Sequence, residues 1–395
     1  MHAIMQALLP ELAAQAQPLR ELRRDFHRHA ELSFQETRTA TVVAERLAAA
    51  GLEVRTGIAK TGVVGILRGD KPGRTVGFRA DIDALPLKEI ADLPFASLNE
   101  HAMHACGHDG HTAIGITMAE LLARHRRDLT GTVVFLFQPA EEVFGGAEAM
   151  IEAGVLNDPP IESVFALHLI NQYPTGSVVV RPGATMASAD FFDIEVRGKG
   201  GHGAFPHQSI DPITVAAHIV VGLQDLISRE IPALDTAVMT VGQITGGTKH
   251  NIIPETAHLA GSIRAFKRDI RDQLIERLSS YASRMAQAYR AEAQVSIMGD
   301  GTPAVVNDVD ITERVRRGTI DLLGSDAVLD GQPMMGSDDM SLFLQERPGC
   351  YFWIGAATPG KEMQPHHHPG FEIDEGSLDI GLRVALNAVL DALAP

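Results

Sequence analysis

Short, unbroken apolar runs alternating with helical stretches are the feature that most restricts the fold of this chain. Val63–Leu67, Thr75–Ala80, Thr132–Phe137 and Ser163–Leu167 read as strands, with Asp109–Arg124 and Glu142–Ala153 as helices between them. Strands that carry no polar alternation must be covered on both faces, which is the condition of a mostly parallel sheet flanked by helices. Ahead of this pattern, residues 18–50 read as one helical stretch, with Leu19, Leu22 and Phe26 at helical spacing and Gly51 as its stop. The Arg23, Arg24, His27, Arg28 and His29 cluster on it reads as a solvated polar face rather than a carboxylate-binding one.

Near Ala189 the rhythm changes. Phe191–Arg197, Thr236–Ile244, Thr256–Arg264 and Ala291–Ile297 are strand-like, and Pro212–Ser228 and Asp269–Tyr289 are helix-like. Their order, β-α-β-β-α-β, is the split βαβ arrangement of a small ferredoxin-like domain. Helix and strand signals return at Ile311–Leu323 and Tyr351–Ile354. The expectation is an α/β domain, residues 1–187 and 300–395, interrupted by an inserted domain, residues 188–299. No internal repeat or low-complexity segment breaks this plan.

Charge and cysteine usage narrow the function. Asp and Glu number 50 against 34 Lys and Arg, a net charge of −16, and no basic run exceeds Arg126-Arg127, so nucleic-acid binding is excluded. No apolar stretch is long enough to span a bilayer, and Met1–Pro10 lacks the marks of a signal peptide. Two cysteines in a chain of 395 residues suit a reduced, cytoplasmic protein better than a disulfide-bonded one.

The densest chemical signal is His101-Ala-Met-His104-Ala-Cys106-Gly-His108-Asp109-Gly-His111, just before an apolar helix. Thiolate and imidazole are the ligands preferred by zinc and its first-row neighbours. Gln138-Pro-Ala-Glu141-Glu142 puts two adjacent carboxylates at the end of a strand, one suited to ligate and the other to carry a proton. Asp81 and Asp83 follow the strand Thr75–Ala80, where a carboxylate can orient a ligand imidazole. His168 ends another strand, and Pro365-His366-His367-His368-Pro369 brings three imidazoles into one turn. Chemistry collects beyond the carboxyl ends of strands in such sheets. Three plainer readings stand beside this one: acidic residues at a helix N-terminus, a thiol nucleophile at Cys106, and a surface metal scavenger. Gly198-Lys-Gly200-Gly-His-Gly203 fits a dinucleotide fingerprint in letters only, because Pro206 and Pro212 intervene where a helix must open. Cys350 reads as a core residue.

These residues resemble the M20 family of metallopeptidases, in particular its subfamily D amidohydrolases. The likeness is carried by Asp81-Ile-Asp83-Ala-Leu-Pro86, Met103-His-Ala-Cys106-Gly-His108-Asp-Gly-His111-Thr-Ala, Gln138-Pro-Ala-Glu141-Glu142, Ala166-Leu-His168, Gly198-Lys-Gly-Gly-His202-Gly-Ala-Phe-Pro-His207, Asn251-Ile-Ile-Pro254 and His367-His-Pro-Gly-Phe371. The resemblance implies two divalent ions per subunit (zinc, manganese, cobalt or nickel), with Cys106 bridging and His108, Glu142, His168 and His367 as the other ligands. It implies Glu141 as general base, Asp83 as the carboxylate behind a ligand imidazole, and Asn251 and Arg264 as binders of the substrate carboxylate. The inserted domain would be a lid that makes a homodimer or a dimer of dimers, with His202 reaching the partner's active site. The implied reaction is hydrolysis of N-acyl-L-amino acids to a carboxylic acid and a free amino acid. A metallo-carboxypeptidase or dipeptidase, or a deacetylase of a biosynthetic N-acyl intermediate, is the alternative. The chain departs from the family at His101, where Gly is usual, and at Ser337-Asp338-Asp339-Met340, where Ser-Glu-Asp-Phe is usual.

Overall fold

The computed structural model describes residues 3–394. They group into two compact units. One holds the chain up to Gly183, Val306–Gln332 and the chain from Asp339 onward; the other holds Ala184–Val305 and Pro333–Asp338. The stretch Pro333–Asp338, read from the sequence into the first domain, groups with the second unit. There Ala187 N donates to Met334 O at 3.1 Å and to Gly336 O at 2.9 Å.

The first unit is built on an eight-stranded sheet. Its order is Glu53–Ile58, Gly62–Arg68, Thr130–Gln138, Lys71–Asp81, Ser163–Pro174, Gly349–Ala357, Val178–Val179 and Val328–Leu329. The four middle strands run parallel, and the sheet turns antiparallel beyond them on either side. Gly349–Ala357 is buried along all but its last residue, which is what an unbroken apolar run requires. Helices Ala3–Arg28, His108–Arg124 and Gly376–Leu393 pack on one another and on the sheet, joining Leu19, Phe26, Leu122 and Leu386 to Phe78, Phe135 and Phe165 in one core. Because the middle strands are parallel, Asp81 and Gln138 pair at the same carboxyl end.

Two elements differ from the sequence reading. Residues 18–50 form not one helix but two, Ala3–Arg28 and Thr37–Ala49. The second is capped from a distance: Glu31 accepts from the backbone of Arg38 at 2.9 Å and of Thr39 at 2.8 Å, satisfying amides that a continuous helix would have bonded internally. Arg23 and His27, expected in solvent, are buried. The helix expected over Glu142–Ala153 is a short 3₁₀ turn, Glu141–Val143, followed by a helix from Gly146 to Glu152, because Ala140 and Phe144 both take positive φ, 54° each.

The second unit is a four-stranded antiparallel sheet ordered Ala237–Gly246, Thr256–Ala265, Ala189–Arg197, Glu292–Thr302. That is the ferredoxin-like order expected of a split βαβ. Helices Pro212–Asp225 and Arg268–Ala288 cover one face, where Phe192, Ile194 and Val196 meet Val215, Ile219, Leu274 and Leu278. Expected to run to Ser228, the first of these helices ends at Asp225 and passes into a π-turn, Leu226–Glu230. Among the described residues no helix is long and apolar enough to cross a membrane.

Candidate metal centre

Two strand ends, one strand interior and one helix start converge in the first unit. His168, expected to end a strand closing at Leu167, sits midway along Ser163–Pro174, which pairs on past it with Gly349–Ala357. Gly107 takes φ +90°, a conformation L side chains rarely adopt, and so turns the chain sharply into the helix that begins at His108. This sets Cys106 and His108 on either side of one turn. His168 comes from Ser163–Pro174, Glu141 and Glu142 from the turn after Thr130–Gln138, and His367 from the proline-bounded late loop.

The donors form overlapping sets. Ligand atoms of Cys106, His108 and His168 lie within 4.8 Å of one another, and so do those of Cys106, Glu142 and His367. Cys106 is the one member common to both triads. His108, Glu141 and Glu142 make a further group on the same criterion. The Cys106 Sγ is 3.5 Å from His168 Nε2, and His367 Nε2 is 3.3 Å from Glu142 Oε2. The Glu141 Oε2 lies 4.0 Å from His108 Nε2.

Each buried imidazole is held by the nitrogen that faces away from this centre. His108 Nδ1 donates to Asp83 O at 3.0 Å and to its Oδ1 at 3.2 Å, leaving Nε2 toward the carboxylates. His168 Nδ1 donates to Leu169 O at 3.0 Å, leaving Nε2 toward Cys106. Asp83 does more than orient His108, since its Oδ2 also accepts from Glu142 N at 3.0 Å. One carboxylate thus fixes two members of the cluster.

The electrostatics show what the cluster is short of. Burial, with Asp83 and Asp81 nearby, pushes the Glu142 carboxyl up to about 8. Burial and the Glu142 carboxylate push the Cys106 thiol well above its usual range, and burial pushes the His168 imidazole well below its own. His108 goes the other way: burial opposes its charge, but Asp81, Asp83 and Cys106 outweigh burial and raise it well above the usual value. His108 Nε2 and Glu142 Oε1 are buried without a hydrogen-bond partner. Soft and hard donors gathered around unsatisfied atoms, with excess negative charge among them, fit divalent first-row ions. The protein carries a dinuclear metal centre here.

Not every residue of the histidine-rich motif joins it. His111 is satisfied on both nitrogens, Nδ1 donating to Asp81 Oδ1 at 2.6 Å and Nε2 accepting from Leu169 N at 3.0 Å, so it locks the strand beside His168. Asp109 points to the far side of the helix, toward Arg23 Nε at 2.6 Å and His27 Nδ1 at 2.8 Å. His104 is buried, and His101, the first departure from the family pattern, is exposed. In the late loop His366 Nε2 donates to Leu169 O at 3.1 Å and His368 Nδ1 accepts from Gly370 N at 3.0 Å, so His367 alone of the three belongs to a donor triad. His367 is held at φ +64°, uncommon for a non-glycine residue.

Sequence reasoning missed a supporting set. Arg79 and Gln138 are buried below the carboxylates, and both bond to Asp339, Arg79 at 2.9 Å and Gln138 at 2.8 Å. Arg79 also bonds Asp81 at 2.6 Å. The signal was a lone arginine inside the strand run Thr75–Ala80, a charge that a buried strand cannot hold without partners. Asp339 and Met340, in the second departure from the family pattern, are buried.

The remaining predicted residues belong to the second unit. Strand pairing sets His202 opposite Ile252, and Gly203 N donates to Asn251 O at 2.9 Å, so His202 and Asn251 are neighbours. Both are exposed. Arg264 lies on Thr256–Ala265, donates to Met335 O at 2.8 Å and Ser337 Oγ at 3.1 Å, and has its pKa lowered by burial.

Residues 77–391 match the model of peptidase family M20/M25/M40. Thermostable carboxypeptidase 1 of Saccharolobus solfataricus is 40% identical over 375 residues, covering 93% of this chain and 94% of the relative. N-acetylcysteine deacetylase of Bacillus subtilis is 39% identical over 360 residues, covering 91% and 92%. The crystal structure of the Bacillus subtilis YXEP protein, described as a dinuclear metal binding peptidase from the M20 family, superimposes with a TM-score of 0.84 at 34% identity, covering 96% of this chain and 99% of that one.

Proposed function

Because this chain belongs to peptidase family M20/M25/M40 and is a metal-dependent amide hydrolase, we propose that it cleaves N-acyl-L-amino acids into a carboxylic acid and a free amino acid. The observation that carries the reading is the pair of donor triads sharing only Cys106, with Glu141 beside them. The two relatives act, by their names, on a peptide C-terminus and on an N-acetylated amino acid. Those substrates share one unit, an amide whose nitrogen sits on a carbon bearing a free carboxylate. A site built for that unit accepts either, and the acyl side decides between them.

In this reading His108, His168, Glu142, His367 and the Cys106 common to both triads would hold the two ions. Divalent ions there supply the Lewis acidity that makes water a nucleophile near neutral pH and polarises the carbonyl. Glu141 takes the proton of the attacking water and passes it to the leaving nitrogen as the C–N bond breaks. Its carboxylate is buried, 4.0 Å from His108 Nε2. Asp83 holds the His108 ring and the Glu142 backbone still while this happens. Asn251 and Arg264 bind the substrate carboxylate.

The same reading makes the protein a cytoplasmic homodimer joined through its second unit, with His202 of one subunit donating to the oxyanion in the other. Two free cysteines and the exposed Val238 and Ile244 on an edge strand support it. Mixing His202→Ala with Glu141→Gln subunits tests the shared site: recovered activity supports it, and none despite heterodimer formation overturns it. The substrate class is tested by metal analysis of the purified protein, then release of amino acid from hippurate, N-acetyl-amino acids and dipeptides with each of the four metals. Turnover confined to dipeptides would favour the peptidase alternative.

A further inference from the structure

The segment between the first two helices carries a fully buried carboxyl, Glu36, between the exposed Gln35 and Thr37. Its two oxygens have separate partners: Oε1 accepts from Ala140 N at 2.9 Å, and Oε2 accepts from Thr61 Oγ1 at 2.6 Å. Ala140 immediately precedes Glu141 and sits at φ +54°. An alanine holds that conformation at a cost, and a buried amide needs an acceptor, so the Glu36 bond meets both needs at once. The turn is confined from its other side as well, where a Cβ on Gly146 would lie 1.6 Å from Pro139 O. Three residues upstream of Glu36, Ser33 Oγ donates to Asp83 Oδ2 at 2.7 Å, the oxygen that also receives Glu142 N. The segment therefore grips the carboxylate turn on both sides, before Glu141 through Glu36 and after it through Asp83.

We propose that Glu36 is a positioning residue for hydrolysis: its buried carboxyl fixes the left-handed conformation of Ala140 and thereby aims the Glu141 carboxylate. This rests on the reading of Glu141 as general base. Glu36 bonds through its side chain to Ala140 and Thr61 and to none of the donor residues, and burial raises its pKa. Glutamine can replace it without loss of either bond, its amide oxygen accepting from Ala140 and its amide nitrogen donating to Thr61. Aspartate is one methylene too short to reach both partners.

The test uses Glu36→Gln, Glu36→Asp and Glu36→Ala in the metal-loaded protein. Glu36→Gln should keep kcat close to wild type. Glu36→Asp and Glu36→Ala should lose about 100-fold in kcat, the scale of a 1 Å misplacement, with KM and metal stoichiometry unchanged. Hydrogen exchange in the peptide around Ala140 should quicken in the Asp and Ala variants and not in Gln. Should Glu36→Ala fail to fold, Glu36→Asp carries the comparison. Wild-type kcat in Glu36→Asp, or a Gln variant as slow as Ala, overturns the proposal. So does a loss of activity that follows thermal stability across the series. If Glu141→Gln itself stays active the base assignment falls, while exchange at Ala140 still reports on the tether by itself.

Discussion

Adjacent residues His108 and Asp109 open the same helix and serve opposite ends. His108 faces the donor cluster, with Nε2 unpartnered and the neighbouring Glu142 carboxyl pushed up to about 8. Asp109 faces Arg23 and His27, and His27 is held on its far nitrogen by Glu89 at 3.1 Å. Although burial works against the charge on Asp109, Arg23 and His27 keep its carboxyl well below the usual range. The first network is left electrostatically open and needs a cation; the second is closed by its own side chains. A buried polar cluster therefore reads as functional when its charges do not balance, and as structural when they do.

The largest expected effect breaks the comparison from the open side. Glu141→Gln keeps the ligand set and removes the proton carrier, so kcat should fall by about 10²–10⁴-fold. Elemental analysis should find metal content unchanged. Near-wild-type turnover in that variant would remove Glu141 from the mechanism, and lost metal would make it a ligand.

A paired substitution comes next. Cys106→Ala removes the member common to both triads and should lower metal stoichiometry while leaving the metal-free fold nearly as stable. Asp109→Asn should do the reverse. It removes the carboxylate that Arg23 and His27 share, leaving them only Glu375 and Glu89, at a cost of up to about 3–5 kcal/mol, yet removes no ligand. Urea unfolding of the metal-free variants, together with metal analysis of the folded ones, reads both quantities. If Asp109→Asn loses metal at unchanged stability, the division between the networks is wrong.

Much of this was legible in the sequence because strand ends are local. Asp81 closes one strand and Glu141 follows another, and a parallel sheet sends those ends to one side whatever the loops do. His168, read as a strand end, lies within a strand that continues to Pro174. The split βαβ order was legible for the same reason, as a rhythm of periods. Facing was not. His104, Cys106, His108, Asp109 and His111 lie within one short motif, but which way each points is set by the left-handed Gly107 and by helices from distant parts of the chain. Arg23 and His27 looked solvated because their partners are Asp109, Glu89 and Glu375, 62 to 352 residues away. The break between the first two helices was hidden in the same way. Its cause is a set of side-chain bonds, Glu31 to the next helix and Ser33 to Asp83, that helical spacing does not encode.

The smallest effect separates two buried imidazoles outside the donor cluster, the unpartnered His104 and the carboxylate-held His27, by the sign of their response to pH. His104 stays neutral in the fold, burial pushing its pKa down to about 4 from an ordinary value near 6.5. The unfolded chain takes up that proton first, so His104 withdraws stability as pH falls from about 6.5 to about 4. Between pH 7 and pH 5 this amounts to about 2 kcal/mol. His27 behaves oppositely. Burial and Arg23 oppose its charge, but Asp109 and Glu89 outweigh them and raise its pKa. Its contribution is fully present below about pH 6.5 and is lost as pH rises through the raised value. Urea midpoints of the metal-free protein at several pH values should therefore move in opposite senses. His104→Gln should flatten the acid-side decline, and His27→Gln should remove stability chiefly on the acid side of neutrality. Parallel shifts in the two variants would mean that the proton on His27 is not held by its carboxylates, and the closed network would lose the balance that distinguishes it from the metal centre.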